Sequence, residues 1–468
     1  MTTDLIHADA SELAELIRTG KVSSVEVVQA HLDRIEATNP RINAVVTLAD
    51  GALEAARAAD EELAAGGDIG PLHGVPFTVK DAYDTAGVLT QRGSPIFAGR
   101  IPDTDATAVA RLKKAGGILL AKTNLPEFSY WVESDNLLTG KTNNPWDLNR
   151  SAGGSSGGES AAIAAGMSPL GLGSDLSISV RGPAADTGIT SLKPTHGRIP
   201  MTGFWPRAPR RDWHAGPMAR TVRDVTLAYS LLAGPDGADG FSVVPREFDA
   251  GLGASPDRPV RLGWLVDSGL GPVDAEVAAT VRKAADALRG ARVRVEAVDI
   301  PALERDNPLD LFARQHVMEM KPAVREVTAG HEDQMFTYSK TLLGTPDTSV
   351  ADYVRAEQGV ERLRDGFAEY FQEHDALLLP VTTIPAHEHG LGDFVLDGRT
   401  VGPFHVSSTT VPFSLTGLPA LSMRFGTTGD GMPIGVQLVA AWHAESTILH
   451  LASLLETLSE VRDRHPAL

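Results

Sequence analysis

Through residues 8–65 the apolar positions return every three or four residues, as in "SELAELIRTG" and "VEVVQAHLDRIEA". That period predicts amphipathic helices, with Ser11 and Ser24 as their N-caps. From about Leu72 to Leu232 the pattern changes to short β-like runs such as "VPFTVK" and "GILLAKT", alternating with glycine-rich turns and alanine-rich helical stretches. This is the rhythm of a layered α/β domain. "PDGADG" at 235–240 and "GASPDRP" at 253–259 read as surface turns, and "VRLGWLV", "VRVEAVDI" and "DALLLPVTT" as further strands separated by helices. Neither a fixed-period repeat nor a long low-complexity linker divides the chain. The expectation is one domain over 1–468, comprising a helical lead-in (1–66), a core (67–235) and the remaining sheet and helices (236–468), although this exceeds the common domain size.

Composition narrows the function. A formal net charge of -18 over 468 residues disfavours a phosphate-tracking surface, because nucleic-acid affinity comes largely from Lys and Arg displacing counterions. Neither nucleic acid nor an anionic membrane is expected as a partner. No basic segment followed by an apolar run and a small-residue cleavage site opens the sequence, and no apolar stretch approaches eighteen uninterrupted residues, so a soluble cytoplasmic protein is expected. The absence of cysteine excludes disulfides, thiolate metal sites, iron–sulfur clusters and a cysteine nucleophile.

The densest chemistry lies in "SAGGSSGGES", residues 151–160. Glycine amides can wrap an anion, but the P-loop pattern requires a Gly-Lys-Ser/Thr ending that this segment lacks. "GKTN" at 140–143 has Asp135 where the upstream glycine belongs. "GGSSG" at 153–157 formally fits the nucleophile elbow G-x-S-x-G with Ser155 at its centre. That fit is cheap in a run so rich in Gly and Ser, and none of the 14 histidines sits in a recognisable triad context. A third reading joins a second serine cluster, in "SPLGLGSDLSISVRGPAA" after a glycine turn, to Lys80 at the end of the run "VPFTVK". Burial there disfavours the ammonium and turns the amine into a usable base, and a positioned neutral base with a proton path is all that a hydroxyl nucleophile needs.

Several stretches, namely "PLHGVPFTVKD", "AKTNLPEF", "NNPWDLNRSAGGSSGGESAAIAAGMSPLGLGSD", "SLKPTHGRIP", "GPMARTVRD" and "GLPALSMRFG…GMPIGVQLVA", resemble the motifs of the amidase signature hydrolases, in that family's order. The resemblance runs from the N-terminal helices to "ILHLASLLE". It implies a single large α/β domain with a central mixed, twisted sheet covered by helices on both faces, no cofactor, no metal and a homodimer. It also implies a triad of Lys80 as base, Ser155 as a serine with a cis peptide bond that relays protons, and Ser179 as nucleophile. Backbone amides of Leu176, Ser177, Ile178 and Ser179 would then hold the oxyanion, at about 3 kcal/mol per donor. Ser156, Asp175 and Arg181 would support the site, the last two by pairing and bracing the loop. The family usually carries two glycines before the nucleophile where this chain has Ser177 and Ile178, and a β-branched residue is poorly suited to φ > 0. Ser414 stands where an asparagine is common.

Blander readings stand beside these. Lys80 alone would be a surface lysine at a strand end, Ser155 and Ser156 turn residues, and Ser177 and Ser179 alternating strand positions. His387 and His389 in "HEH" suggest a metal but lack a third ligand, so a solvated loop is expected. In "GFWPRAPRRDWH", Trp205 and Trp213 either line a substrate pocket or pack a loop. Phe336 and Tyr338 fall in a stretch without family motifs, 305–360, which makes them candidates for specificity or for ordinary helix packing. The resemblance implies an amidase acting on a small amide, anilide or carbamate, with esters as side substrates. Two alternatives are the glutamine-hydrolysing subunit of a tRNA-dependent amidotransferase and a non-catalytic ligand-binding member.

Overall fold

The computed structural model describes residues 4–245, 252, 258–267 and 269–468. Among these, eleven strands form one mixed sheet flanked by helices. Across the sheet the order is β1 (Val45–Leu48), β3 (Ile118–Thr123), β2 (Pro76–Lys80), β4 (Leu170–Asp175), β6 (His214–Ala219), β5 (Thr190–Lys193), β12 (Ala420–Thr427), β13 (Pro433–Ala440), β9 (Ala376–Pro380), β7 (Val260–Trp264) and β8 (Val293–Ala297). A separate hairpin pairs β10 (Phe394–Leu396) with β11 (Arg399–Val401).

The strands expected from "VPFTVK", "GILLAKT" and "DALLLPVTT" form β2, β3 and β9, each buried at every position. An unbroken apolar run is what a strand covered on both faces requires. At the sheet edge, β8 keeps only Val293 buried. Sheet and helices enclose a core including Phe77, Val79, Leu172, Leu378, Val436 and Leu438, all fully or almost fully buried. A second cluster, rich in alanine, joins the N-terminal helices to β3 and the helix Gly157–Ala164.

The structure corrects four details of the sequence reading. The glycine turn expected at "LGLGSD" is strand β4, because its glycines provide room and not a bend. A Cβ on Gly171 would collide with the Glu159 carboxylate, and one on Gly173 would sit 2.7 Å from Met218 Sδ and 2.9 Å from Ser156 Oγ. The cap of the second helix is Ser23, which forms a reciprocal capping box with Glu26, and not Ser24. The first helix begins after Asp9, and the Ala10 and Ser11 amides donate to the Asp224 carboxylate. The helical lead-in is interrupted by β1, which pairs antiparallel with β3.

Residues 235–240 form the expected loop, whereas 253–257 of the second expected turn lie outside the described residues. Among the described residues no helix is long and apolar enough to cross a membrane.

Sheet topology creates the site. β3 and β4 flank β2, both parallel to it. Lys80, Thr123 and Asp175 therefore close their strands at one end of the sheet, the end from which open α/β sheets present their ligands.

Candidate active site

Lys80 ends β2 fully buried, its amine 2.6 Å from Ser155 Oγ and 3.0 Å from Ser174 Oγ. Burial holds its ammonium well below the usual lysine range, although the charges of Asp175 and Glu159 oppose that shift. Glu159, from the helix Gly157–Ala164, accepts from the Thr78 and Thr123 hydroxyls, and burial pushes its carboxyl up to about 7. The amine thus meets hydroxyls at hydrogen-bond distance and no carboxylate, which favours its neutral form.

Ser155 is fully buried and follows a cis peptide bond with Gly154. The glycines before it allow close approach: a Cβ on Gly154 would lie 2.5 Å from the Glu133 amide nitrogen, and Gly153 takes a φ of +77°. The amides of Gly153, Ser156, Gly157 and Gly158 are engaged by protein groups and are not free to cradle a phosphate. Gly157 N–H donates to Ser134 Oγ at 2.9 Å, and Ser156 N–H to the Ser179 carbonyl at 3.1 Å. Through this last bond the Gly/Ser loop and the Ser179 loop are joined, and Ser156 Oγ also donates to the Ser174 carbonyl at 3.2 Å.

Ser179 lies between β4 and the helix Arg181–Thr187, only 4 % exposed, in a turn and not in a strand. No hydrogen bond within the described residues occupies the amides of Ser177, Ile178 or Ser179. Neither Ser177 nor Ile178 has a positive φ, so the missing glycine pair imposes no left-handed backbone here. The Ile178 side chain instead packs with Val132 and Val406, and Gly182 beneath it makes room, since a Cβ there would lie 2.6 Å from Ile178 Cγ1.

Asp175 and Arg181 form a fully buried bidentate pair with contacts of 2.9 and 3.0 Å. Burial raises the Asp175 carboxyl, but the Arg181 charge and its hydrogen bonds more than offset this and hold it below the usual value. Arg181 also donates to the Ser177 and Thr410 carbonyls, Gln437 Oε1 and Ser414 Oγ. This assigns Ser414 a place as an acceptor for the guanidinium that braces the serine loop. Arg181→Ala would strand a buried carboxylate; a loss of about 3–5 kcal/mol in denaturant unfolding is expected, and a loss below 1 kcal/mol would refute the bracing role.

The tryptophans singled out in the sequence lie elsewhere. Trp213 is 1 % exposed, packs on Phe204 and donates to the Ala208 carbonyl, so it belongs to the core. Trp205 is held edge-on by Phe97 and Phe128 with the Arg92 guanidinium over its ring. Neither lines the cleft beside Ile178. An aromatic wall packed against its apolar lining comes from residues the sequence reading missed: Trp131 and Phe404 lie edge-to-face at 4.9 Å and pack with Val132, Ile178 and Val406 without lining the cleft themselves. Tyr338 stacks on Trp131 at 4.2 Å, and Phe336 packs edge-on to Tyr338. The two residues flagged in the motif-free stretch therefore do reach this wall. Trp131 has one sequence signal, its position eight residues beyond the end of β3, on the site's side of the sheet.

His387 is not in a solvated loop: its side chain is 11 % exposed, lines the cleft and lies 3.4 Å from Glu133. Among the described residues no group of three or more His, Asp or Glu side chains is placed to hold a metal.

A model of the amidase family matches residues 26–449. The chain is 36% identical to a glutamyl-tRNA(Gln) amidotransferase subunit of Salinispora arenicola (strain CNS-205), over 97% of this chain and 98% of that one. It is 34% identical to the indoleacetamide hydrolase of Bradyrhizobium diazoefficiens (strain JCM 10833 / BCRC 13528 / IAM 13628 / NBRC 14792 / USDA 110), over 97% and 86%. Among solved structures, 6-aminohexanoate cyclic dimer hydrolase complexed with substrate superposes with a TM-score of 0.88 at 31% identity, covering 99% of both chains. A bacterial aryl acylamidase of the amidase signature family superposes with a TM-score of 0.88 at 26% identity, covering 96% of both.

Proposed function

Given that this chain belongs to the amidase family, whose enzymes act on C–N bonds, we propose that it hydrolyses small linear amides or carbamates through an acyl-enzyme on Ser179. The observation that carries this reading is the buried Lys80 amine, 2.6 Å from Ser155 Oγ, at the loop whose next amide is bonded to the Ser179 carbonyl. In the proposed sequence Ser179 Oγ attacks the substrate carbonyl as its proton passes to Ser155 Oγ, whose own proton passes to the Lys80 amine. The unoccupied amides of Ser177, Ile178 and Ser179 receive the oxyanion, each donor contributing about 3 kcal/mol. As the tetrahedral intermediate collapses, the C–N bond breaks and the relay returns the proton to the leaving nitrogen. Water then attacks the ester by the same route, releasing the acid and restoring Ser179.

The Trp131, Phe404 and Tyr338 wall supports aryl or aliphatic groups beside the acyl site. Trp131→Ala is expected to lower kcat/KM for aryl anilides about tenfold more than for acetamide; an equal effect on both would remove the wall from substrate recognition. The class itself is tested with a panel of anilides, carbamates and esters, with Ser179→Ala as control. Turnover lost in the variant supports the reading, and no turnover on any member of the panel overturns it.

A second reading, the glutamine-hydrolysing component of an amidotransferase, is favoured by the 36% identity to the Salinispora arenicola protein over 97% of this chain. Ammonia release from glutamine, together with stable co-purification of a second protein component, would select it over the stand-alone amidase.

A further inference from the structure

The cleft beside Ile178, a cavity of about 10 Å³ with room for one water-sized or ammonium-sized group, also touches Gly154, so it borders the residues that precede both Ser155 and Ser179. Its wall is largely apolar, with Val132, Ile178, Ile384 and Val406, and only Asp186 and His387 among the described residues bring ionisable side chains to it. His387 is accounted for by the Glu388 carbonyl at 2.8 Å and by Glu133 at 3.4 Å. Asp186 is not. It lies in the last turn of the helix Arg181–Thr187, only 7 % exposed, and a Cβ on Gly153 would meet its Oδ2 at 2.6 Å. Within the described residues no hydrogen bond or ion pair reaches its carboxylate, while its backbone carbonyl accepts from Asn144.

Burial alone pushes the Asp186 carboxyl up to about 8, and the negative end of a helix adds to the cost of ionising it. An unpartnered carboxyl set into an apolar wall is destabilising unless something arrives to pair with it. Among the described residues no lysine or arginine lines this cleft, and the charge behind His387, that of Glu133, is also acidic. None of the described lining residues supplies a cation that would favour the ionised carboxylate, and a cation on a ligand would do so.

We propose that Asp186 is a specificity-determining residue that pairs with a cationic group, an ammonium or protonated amine, on the substrate acylating Ser179. The proposal rests on the reading of Ser179 as the acyl site. A charge-assisted hydrogen bond to a carboxylate otherwise held in an apolar wall is among the stronger polar contacts, and no lysine or arginine among the described lining residues competes for it.

The test compares kcat/KM for 4-aminobutyryl and pentanoyl 4-nitroanilide, a cationic and a neutral chain of similar length. The expected result is a preference of about tenfold for the cationic chain, falling to near one in Asp186→Asn. Taking the ratio cancels the pH dependence of the shared catalytic groups. In the wild type it should rise as Asp186 ionises around its value of about 8, and it should be flat in the variant. A wild-type ratio near one, or a preference retained in Asp186→Asn, overturns the proposal. If neither anilide is cleaved, the hydrolase reading is decided separately by the wider panel of anilides, carbamates and esters. Calorimetric binding of 4-aminobutyramide against pentanamide then still decides: tighter binding of the amine that disappears in Asp186→Asn supports the pairing, and equal affinities overturn it.

Discussion

Ser179→Ala is expected to lower kcat/KM on any anilide or carbamate the wild type cleaves by ~10⁴-fold or more, the scale seen when a nucleophile acting as part of a unit is removed. The thermal midpoint should stay close to that of the wild type, because the hydroxyl is small and the bond from Ser156 runs to the Ser179 backbone carbonyl, which the substitution keeps. The pairing of large kinetic loss with small stability change is informative. Ser155→Ala removes the relay and leaves the attacking oxygen in place, so its loss should be smaller than that of Ser179→Ala. If Ser155→Ala were the more damaging change and Ser179→Ala retained turnover, the nucleophile elbow centred on Ser155 would replace the reading given above.

Lys80→Met is the second change with a large expected effect, again ~10⁴-fold in kcat/KM, because neither serine hydroxyl ionises near neutral pH without a base. The direction of the pH dependence follows from burial. Only the neutral amine accepts a proton, so activity falls as pH is lowered through the Lys80 ionisation, which burial has moved well below the usual lysine value of 10.5. Any residual rate of the methionine variant should lack that limb. Stability carries the same sign: the folded form holds the proton less tightly than the unfolded chain, so Lys80 costs stability progressively as pH falls below 10.5. The thermal midpoint of Lys80→Met should therefore gain on the wild type between alkaline and neutral pH, and a gap that does not change with pH would mean that the lysine is charged in the folded protein.

How far the sequence reveals these features depends on how local their causes are. β2, β3 and β9 are legible because a strand covered on both faces needs an uninterrupted apolar run, and "VPFTVK", "GILLAKT" and "DALLLPVTT" provide it. β4 is hidden because its glycines answer a tertiary demand, the nearness of Glu159 and Ser156, which no local pattern records. The place of Lys80 at a buried strand end can be argued from its neighbours along the chain. Ile178 illustrates the opposite case: a β-branched residue where relatives use glycine suggests a backbone conflict, yet its φ is negative and its side chain becomes part of a wall with Val132 and Val406. The Trp131–Tyr338 stack joins residues more than two hundred positions apart, and Asp186 stands out only once the cleft shows it without a partner. Aromatic content in "GFWPRAPRRDWH" leaves open whether its tryptophans line a pocket or pack a loop, because the burial that places Trp213 against Phe204 and Trp205 between Phe97 and Phe128 is a matter of three-dimensional packing.

Which serine oxygen attacks the carbonyl decides the mechanism. Incubation with an organophosphonate that traps serine nucleophiles, followed by peptide mass mapping in the wild type and in Lys80→Ala, answers this directly. The expected result is one adduct, on Ser179, formed in the wild type and lost or strongly slowed without Lys80. An adduct on Ser155, or no adduct on any serine while the protein remains folded, would contradict the lysine–serine–serine arrangement.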